Sequence, residues 1–142
     1  MSAAQRSLTV PAEAGRLHAL RELAQAAAAA AGFAPRDIEE LVLAVGEACT
    51  NVIRHGYRGA DGTLELSVRE VDGGIEFRIR DEAPPVTLAD WRPRRFDELR
   101  PGGLGVHFIR AIMDEIEYLP APGGQGNLLR LRKYRHPGEE RA

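Results

Sequence analysis

Residues 46–57 read GEACTNVIRHGY, and three of them, Glu47, Asn51 and His55, recur at steps of four. On an α-helix a four-residue step advances only about 40° beyond a full turn, so the three polar side chains form one narrow stripe. Ile38, Leu41, Val42, Val45, Cys49, Val52 and Ile53 follow the i, i+3, i+4, i+7 spacing of a face built for burial. Pro35 and Asp37 open this helix and Gly56 closes it. Taken alone, such a polar stripe is most often the solvated side of a helix, so it acquires meaning only from what surrounds it.

Upstream, Ser7–Val10 reads as a short strand, and a helix follows over roughly Gly15–Ala31, with Leu17, Leu20, Leu23 and Ala24 on one face and Gly32 as its stop. Its alanine tract suits a packed helix, because alanine is the best helix former and the leucines supply a face. Downstream, Leu64, Leu66 and Val68 alternate with Glu65, Ser67 and Arg69, a tight VDGG turn follows, and Ile75, Phe77 and Ile79 alternate with Glu76, Arg78 and Arg80 up to Asp81. Each of these strands has one apolar face. Periodicity then vanishes over residues 82–101, a length that marks a functional segment, here expected to be a lid. Order resumes with Val106, Ile109, Ile112 and Met113 on a helix face, a strand over Ile116–Leu119, a PAPGGQG turn, a last strand over Asn127–Lys133 and a polar tail from Arg135. Strands and helices with one apolar face each predict an α+β fold, a two-layer sandwich with a mostly antiparallel mixed sheet and helices on one face.

The 142 residues make one ordinary domain, and 44% hydrophobic with 28% charged residues suits a globular protein. A formal net charge of −2 gives no global drive toward nucleic acid. The N-terminus has no charged-then-apolar signal pattern, and no apolar run approaches the roughly 20 residues that span a bilayer, so the expected location is the cytoplasm with no membrane contact. The only cysteine, Cys49, lies on the apolar side of its helix, which predicts a buried, inert thiol.

Candidate chemistry accumulates piece by piece. The neutral oxygen of Asn51 suits Mg²⁺, a hard cation that shares oxygens with substrate phosphates. Glu47, one turn earlier, is placed to activate a hydroxyl or water near such a metal. His55 either closes the phosphate end or caps the helix C-terminus. Asp81, at a strand end, is a carboxylate able to accept a hydrogen bond from an exocyclic amino group, or else a turn residue. Gly102–Gly105, reading GGLG, open a helix where backbone N–H groups can meet phosphates, although a Gly-rich turn alone is weak evidence.

The order of the pieces is more specific than any one of them. A helix with Glu47 and Asn51, a strand closed by Asp81, a lid, and Gly102–Gly105 opening a helix resemble the ATP-binding domain of the GHKL superfamily, the Bergerat fold. Within it, EACTNVIRHGY, GGLGVHFIRAIMDEIEY and GNLLRLRKY resemble the stand-alone anti-sigma-factor serine/threonine kinases, over about Leu8 to Tyr134. The resemblance implies Glu47 as catalytic base, Asn51 as Mg²⁺ ligand and Asp81 as the adenine-recognising residue. It also implies phosphate contacts from Gly102, Gly103 and Gly105 beneath a mobile lid, and His55, Ala83, Arg100, Leu104 and Val106 are expected to contact the nucleotide as well. The implied partners are a STAS-domain anti-anti-sigma protein, phosphorylated on serine or threonine, and an RNA polymerase sigma factor. Many such kinases form homodimers.

One departure bears on activity. The superfamily pattern D-x-G-x-G stands here as Asp81-Glu82-Ala83-Pro84-Pro85, so a methyl group replaces the first glycine and could narrow the adenine pocket, while the prolines stiffen the hinge. Arg92, Arg94, Arg95 and Arg100 either clamp a triphosphate, Arg100 being nearest the glycines, or solvate a long loop. Trp91 either anchors the lid or meets a protein partner. Three functional readings follow: an ATP-dependent protein serine/threonine kinase, a non-catalytic module that acts by sequestration, and a histidine-kinase-type catalytic domain. The last ranks lowest because no phosphoacceptor helix accompanies it.

Overall fold

Strand β1 (Arg6–Pro11) opens the chain in a computed structural model that describes residues 5–57, 61–85 and 103–136. A single 3₁₀ turn leads into α1 (Leu17–Ala30), whose Leu20, Ala24, Ala27 and Ala28 are buried against the second helix. Small side chains on this face let the two helix axes approach, which is the use made of the alanine tract. Gly32, at φ +83°, ends the helix in the left-handed conformation that favours glycine. Helix α2 (Pro35–Asn51) starts with Pro35 in its first turn, where a missing N–H costs nothing, and with Asp37 near the positive end of the helix dipole.

At Val52 the α-helix changes to a π-helical turn that runs to Gly56. Glu47 and Asn51 share a face of α2 by their four-residue spacing, and the backbone of His55 lies in the π-helical turn.

Strands β2 (Thr63–Val71) and β3 (Gly74–Asp81) form a tight hairpin around Asp72 and Gly73. Helix α3 (Gly103–Ile112), strand β4 (Glu115–Leu119), a 3₁₀ turn (Pro122–Gly124) and strand β5 (Asn127–Tyr134) complete the described elements. The sheet order is β1-β2-β3-β5-β4, and every pairing among the described residues is antiparallel, so the mixed character expected of the sheet is not seen there. The three helices cover one face, where Leu20, Leu41, Val45, Leu64, Leu66, Ile75, Phe77, Ile109 and Leu131 are fully buried in one core. Cys49 belongs to that core, and burial pushes its thiol up to about 12, opposed by the charge of Arg21, so it is inert as expected.

The opposite face of the sheet departs from simple alternation. Glu76 occupies an outward position on the central strand yet is 1% exposed. Arg69 and Arg78 donate to its Oε2 at 2.8 and 2.9 Å, and Arg132 donates to Oε1 at 2.8 Å. Arg69 and Arg132 are its register partners on β2 and β5, so the pairing of three strands encloses the carboxylate. Burial raises its pKa, but the hydrogen bonds from Arg69 and Arg132 and the charge of Arg78 outweigh it and hold the group at about 2.

Among the described residues no helix is long and apolar enough to cross a membrane.

Candidate functional site

The central strand β3 ends at Asp81, and β5 begins directly opposite it at Asn127. Both residues are buried, at 5% and 7% exposure. The Nδ2 group of Asn127 donates to Asp81 Oδ1 at 2.9 Å and to the Pro84 carbonyl at 3.1 Å, with the Ala83 carbonyl at 3.4 Å. Three acceptors around one nitrogen require that atom to be the amide nitrogen, so its orientation follows from chemistry. Ala83 N–H also donates to Asp81 Oδ1, at 2.9 Å. Burial lifts the Asp81 carboxyl above the ordinary aspartate range, and the bonds from Asn127 and Ala83 pull partly the other way.

The backbone makes room for this pair at Gly126, which has φ +81°. A Cβ there would lie 2.0 Å from the Asp81 carbonyl oxygen and 2.8 Å from Glu82 Cα. Only glycine lets the start of β5 lie so close against the end of β3.

The end of helix α2 is tied to the same point. Tyr57 donates through its hydroxyl to the Thr63 carbonyl at 2.6 Å and accepts the Glu82 N–H at 2.8 Å. Ala83 is 2% exposed, and a Cβ at Gly56 would stand 3.4 Å from the Ala83 Cβ. The methyl group that replaces the expected glycine therefore packs toward the bare backbone of Gly56.

Glu47 and Asn51 are half-buried on α2. Thr50, between them, is buried and returns its hydroxyl to the Gly46 carbonyl at 2.8 Å, a helix-internal bond that leaves the polar face to its neighbours. His55 lies in the π-helical turn. Gly103, Leu104, Gly105 and Val106 form the start of α3, which packs against α2, and the first N–H groups of a helix lack intrahelical partners. Arg100 and Gly102, with Trp91 and the other lid arginines, lie outside the described residues, as does all of the expected lid after Pro85. The structure thus draws the α2 end, the β3 end and Ala83 together, with α3 alongside α2. Asn127 and Tyr57 were not singled out from sequence. Tyr57 stood inside the deciding motif, but the role of Asn127 depends on a strand pairing that local sequence does not express.

No group of three or more His, Cys, Asp or Glu side chains that could hold a metal occurs among the described residues. A cation held mainly by substrate oxygens and water needs only one or two protein ligands. The half-buried amide of Asn51 next to a carboxylate one turn away is a donor set of that kind.

The fold is an α+β sandwich with a polar cluster where its central strand ends beside a helix. The chain belongs to the histidine kinase-like ATPase domain family, whose sequence profile matches residues 10–133. It is similar to the serine-protein kinase RsbW of Bacillus pumilus, 31% identical over 125 residues that cover 78% of this chain and 75% of the relative. The protein of the same name from Halalkalibacterium halodurans is 30% identical over 118 residues, 78% of this chain and 72% of the relative. That from Bacillus licheniformis is 36% identical over 97 residues, 60% and 59% of the two chains.

Proposed function

We propose that this protein is an ATP-dependent serine/threonine protein kinase that acts as an anti-sigma switch. The observation that carries the reading is the pairing, in one family fold, of a half-buried Glu47–Asn51 face on α2 with a buried carboxylate, Asp81, at the end of the central strand. Asp81 accepts the exocyclic amino group of adenine. The N–H groups at the start of α3, with Gly102, Gly103 and Gly105, receive the phosphates, and residues 82–101 close over them with Arg100 nearest the charge. Asn51 would hold Mg²⁺, and the ion would supply neutralisation of the phosphate charge. Glu47 takes the proton of the acceptor hydroxyl, and catalysis otherwise consists of positioning. The acceptor is a serine or threonine of a STAS-domain protein, the alternative partner is a sigma factor, and the kinase works as a cytoplasmic homodimer. Serine-protein kinase names among its relatives support this reading.

The sequestering alternative drew its force from Ala83 and Pro85. The packing of the Ala83 methyl toward Gly56 weakens that objection, because the added carbon has a place on the helix side. Labelled phosphate transfer from ATP to a small STAS-domain protein, with Glu47→Gln as control, tests the proposal. Transfer by the wild type and none by the variant is expected. ATP binding without transfer to any STAS protein would favour sequestration.

A further inference from the structure

Asn127 is the best-connected side chain at the end of β3, and the nucleotide reading gives it no task. Its amide reaches three acceptors: the Asp81 carboxylate, the Ala83 carbonyl and the Pro84 carbonyl. Asp81 is held from two sides at Oδ1, by Asn127 Nδ2 and by Ala83 N–H, and among the described residues no hydrogen bond goes to Oδ2. A carboxylate fixed through one oxygen presents the other in a fixed direction. Gly126 keeps β5 against β3, so the Asn127 side chain starts from a position the backbone sets.

Resting on the reading of Asp81 as the base-recognising group, we propose that Asn127 is a positioning residue that sets nucleotide specificity. It pins Asp81 so that Oδ2 is the acceptor offered to a purine, and it holds the first carbonyls of the 82–101 segment in the same arrangement. A fixed carboxylate oxygen accepts from the 6-amino group of adenine and repels the 6-oxo group of guanine. A carboxylate free to rotate blunts that contrast, because it can turn away from the wrong base as well as from the right one. Discrimination between the bases therefore depends on Asn127, beyond any effect on overall folding.

The test is calorimetric titration of Mg-ATP and Mg-GTP into the full chain, comparing the wild type with Asn127→Ala, Asn127→Ser and Asp81→Ala. For Asn127→Ala the expected result is ATP binding weakened about tenfold with a narrowed ATP-to-GTP ratio, since a bond to a charged group is lost. Asn127→Ser keeps one donor and is expected to recover part of the ratio; where the alanine variant does not fold, the serine variant's narrowed ratio carries the comparison. The inference is overturned if Asn127 variants leave the ratio unchanged while Asp81→Ala loses ATP, for Asn127 is then only part of the strand end. If Asp81→Ala binds ATP as the wild type does, the nucleotide reading itself falls, and the inference with it.

Discussion

Asp81 and Asn127 face each other as the first register pair between β3 and β5, with the Asn127 amide nitrogen 2.9 Å from Asp81 Oδ1. The pair places a buried carboxylate at the end of the central strand, a location that a stability argument alone does not favour.

The cost of that placement is measurable. The Asp81 carboxyl is shifted upward, chiefly by burial, so the folded chain holds this proton more tightly than the unfolded chain does. Stability then falls as pH rises from the unfolded value through the folded one, and remains lower above it. Asp81→Asn removes the charge and keeps an oxygen for both hydrogen bonds. Its melting temperature at neutral pH should exceed that of the wild type, with the gap closing below about pH 4, while ATP binding is lost. Thermal melts across pH, with and without nucleotide, check both parts.

Glu76 has the opposite sign. Its folded pKa, about 2, lies below the ordinary 4.5, so its contribution is fully present above 4.5 and lost as pH falls toward 2. Glu76→Ala leaves several arginines facing one another and should cost about 3 kcal/mol, read from urea denaturation at neutral pH.

Gly126→Ala places a methyl group 2.0 Å from a backbone oxygen at a positive φ. The two strand ends must part, for a loss of more than about 2 kcal/mol. Because Asn127 moves with them, ATP affinity should fall alongside the melting temperature.

Glu47→Gln separates binding from chemistry. The amide preserves the shape of the side chain but not its basicity, so Mg-ATP affinity should stay close to wild type while phosphate transfer drops by about 10²–10⁴-fold. Titration and single-turnover transfer on the same preparation measure the two effects.

Much of the architecture was legible because it is local. Alternation at Leu64, Leu66 and Val68 and at Ile75, Phe77 and Ile79 marked the strands, and helical spacing from Ile38 to Cys49 marked α2. What escaped is non-local. Alternation put Glu76 on the face of its strand opposite the apolar one, and its burial there comes from arginines at register positions on β2 and β5. Asn127 read as the first residue of a closing hairpin; its meaning arises because β5 inserts between β3 and β4, which places it against Asp81. The π-helical turn after Asn51 likewise carries no local signal.

The most direct measurement is a calorimetric titration of ATP with Mg²⁺ into the wild type, Asn51→Ala and Asp81→Ala. The expected result is saturable binding to the wild type that weakens in both variants. No heat with the wild type, and no displacement of a fluorescent nucleotide by ATP at millimolar concentration, would contradict the kinase assignment.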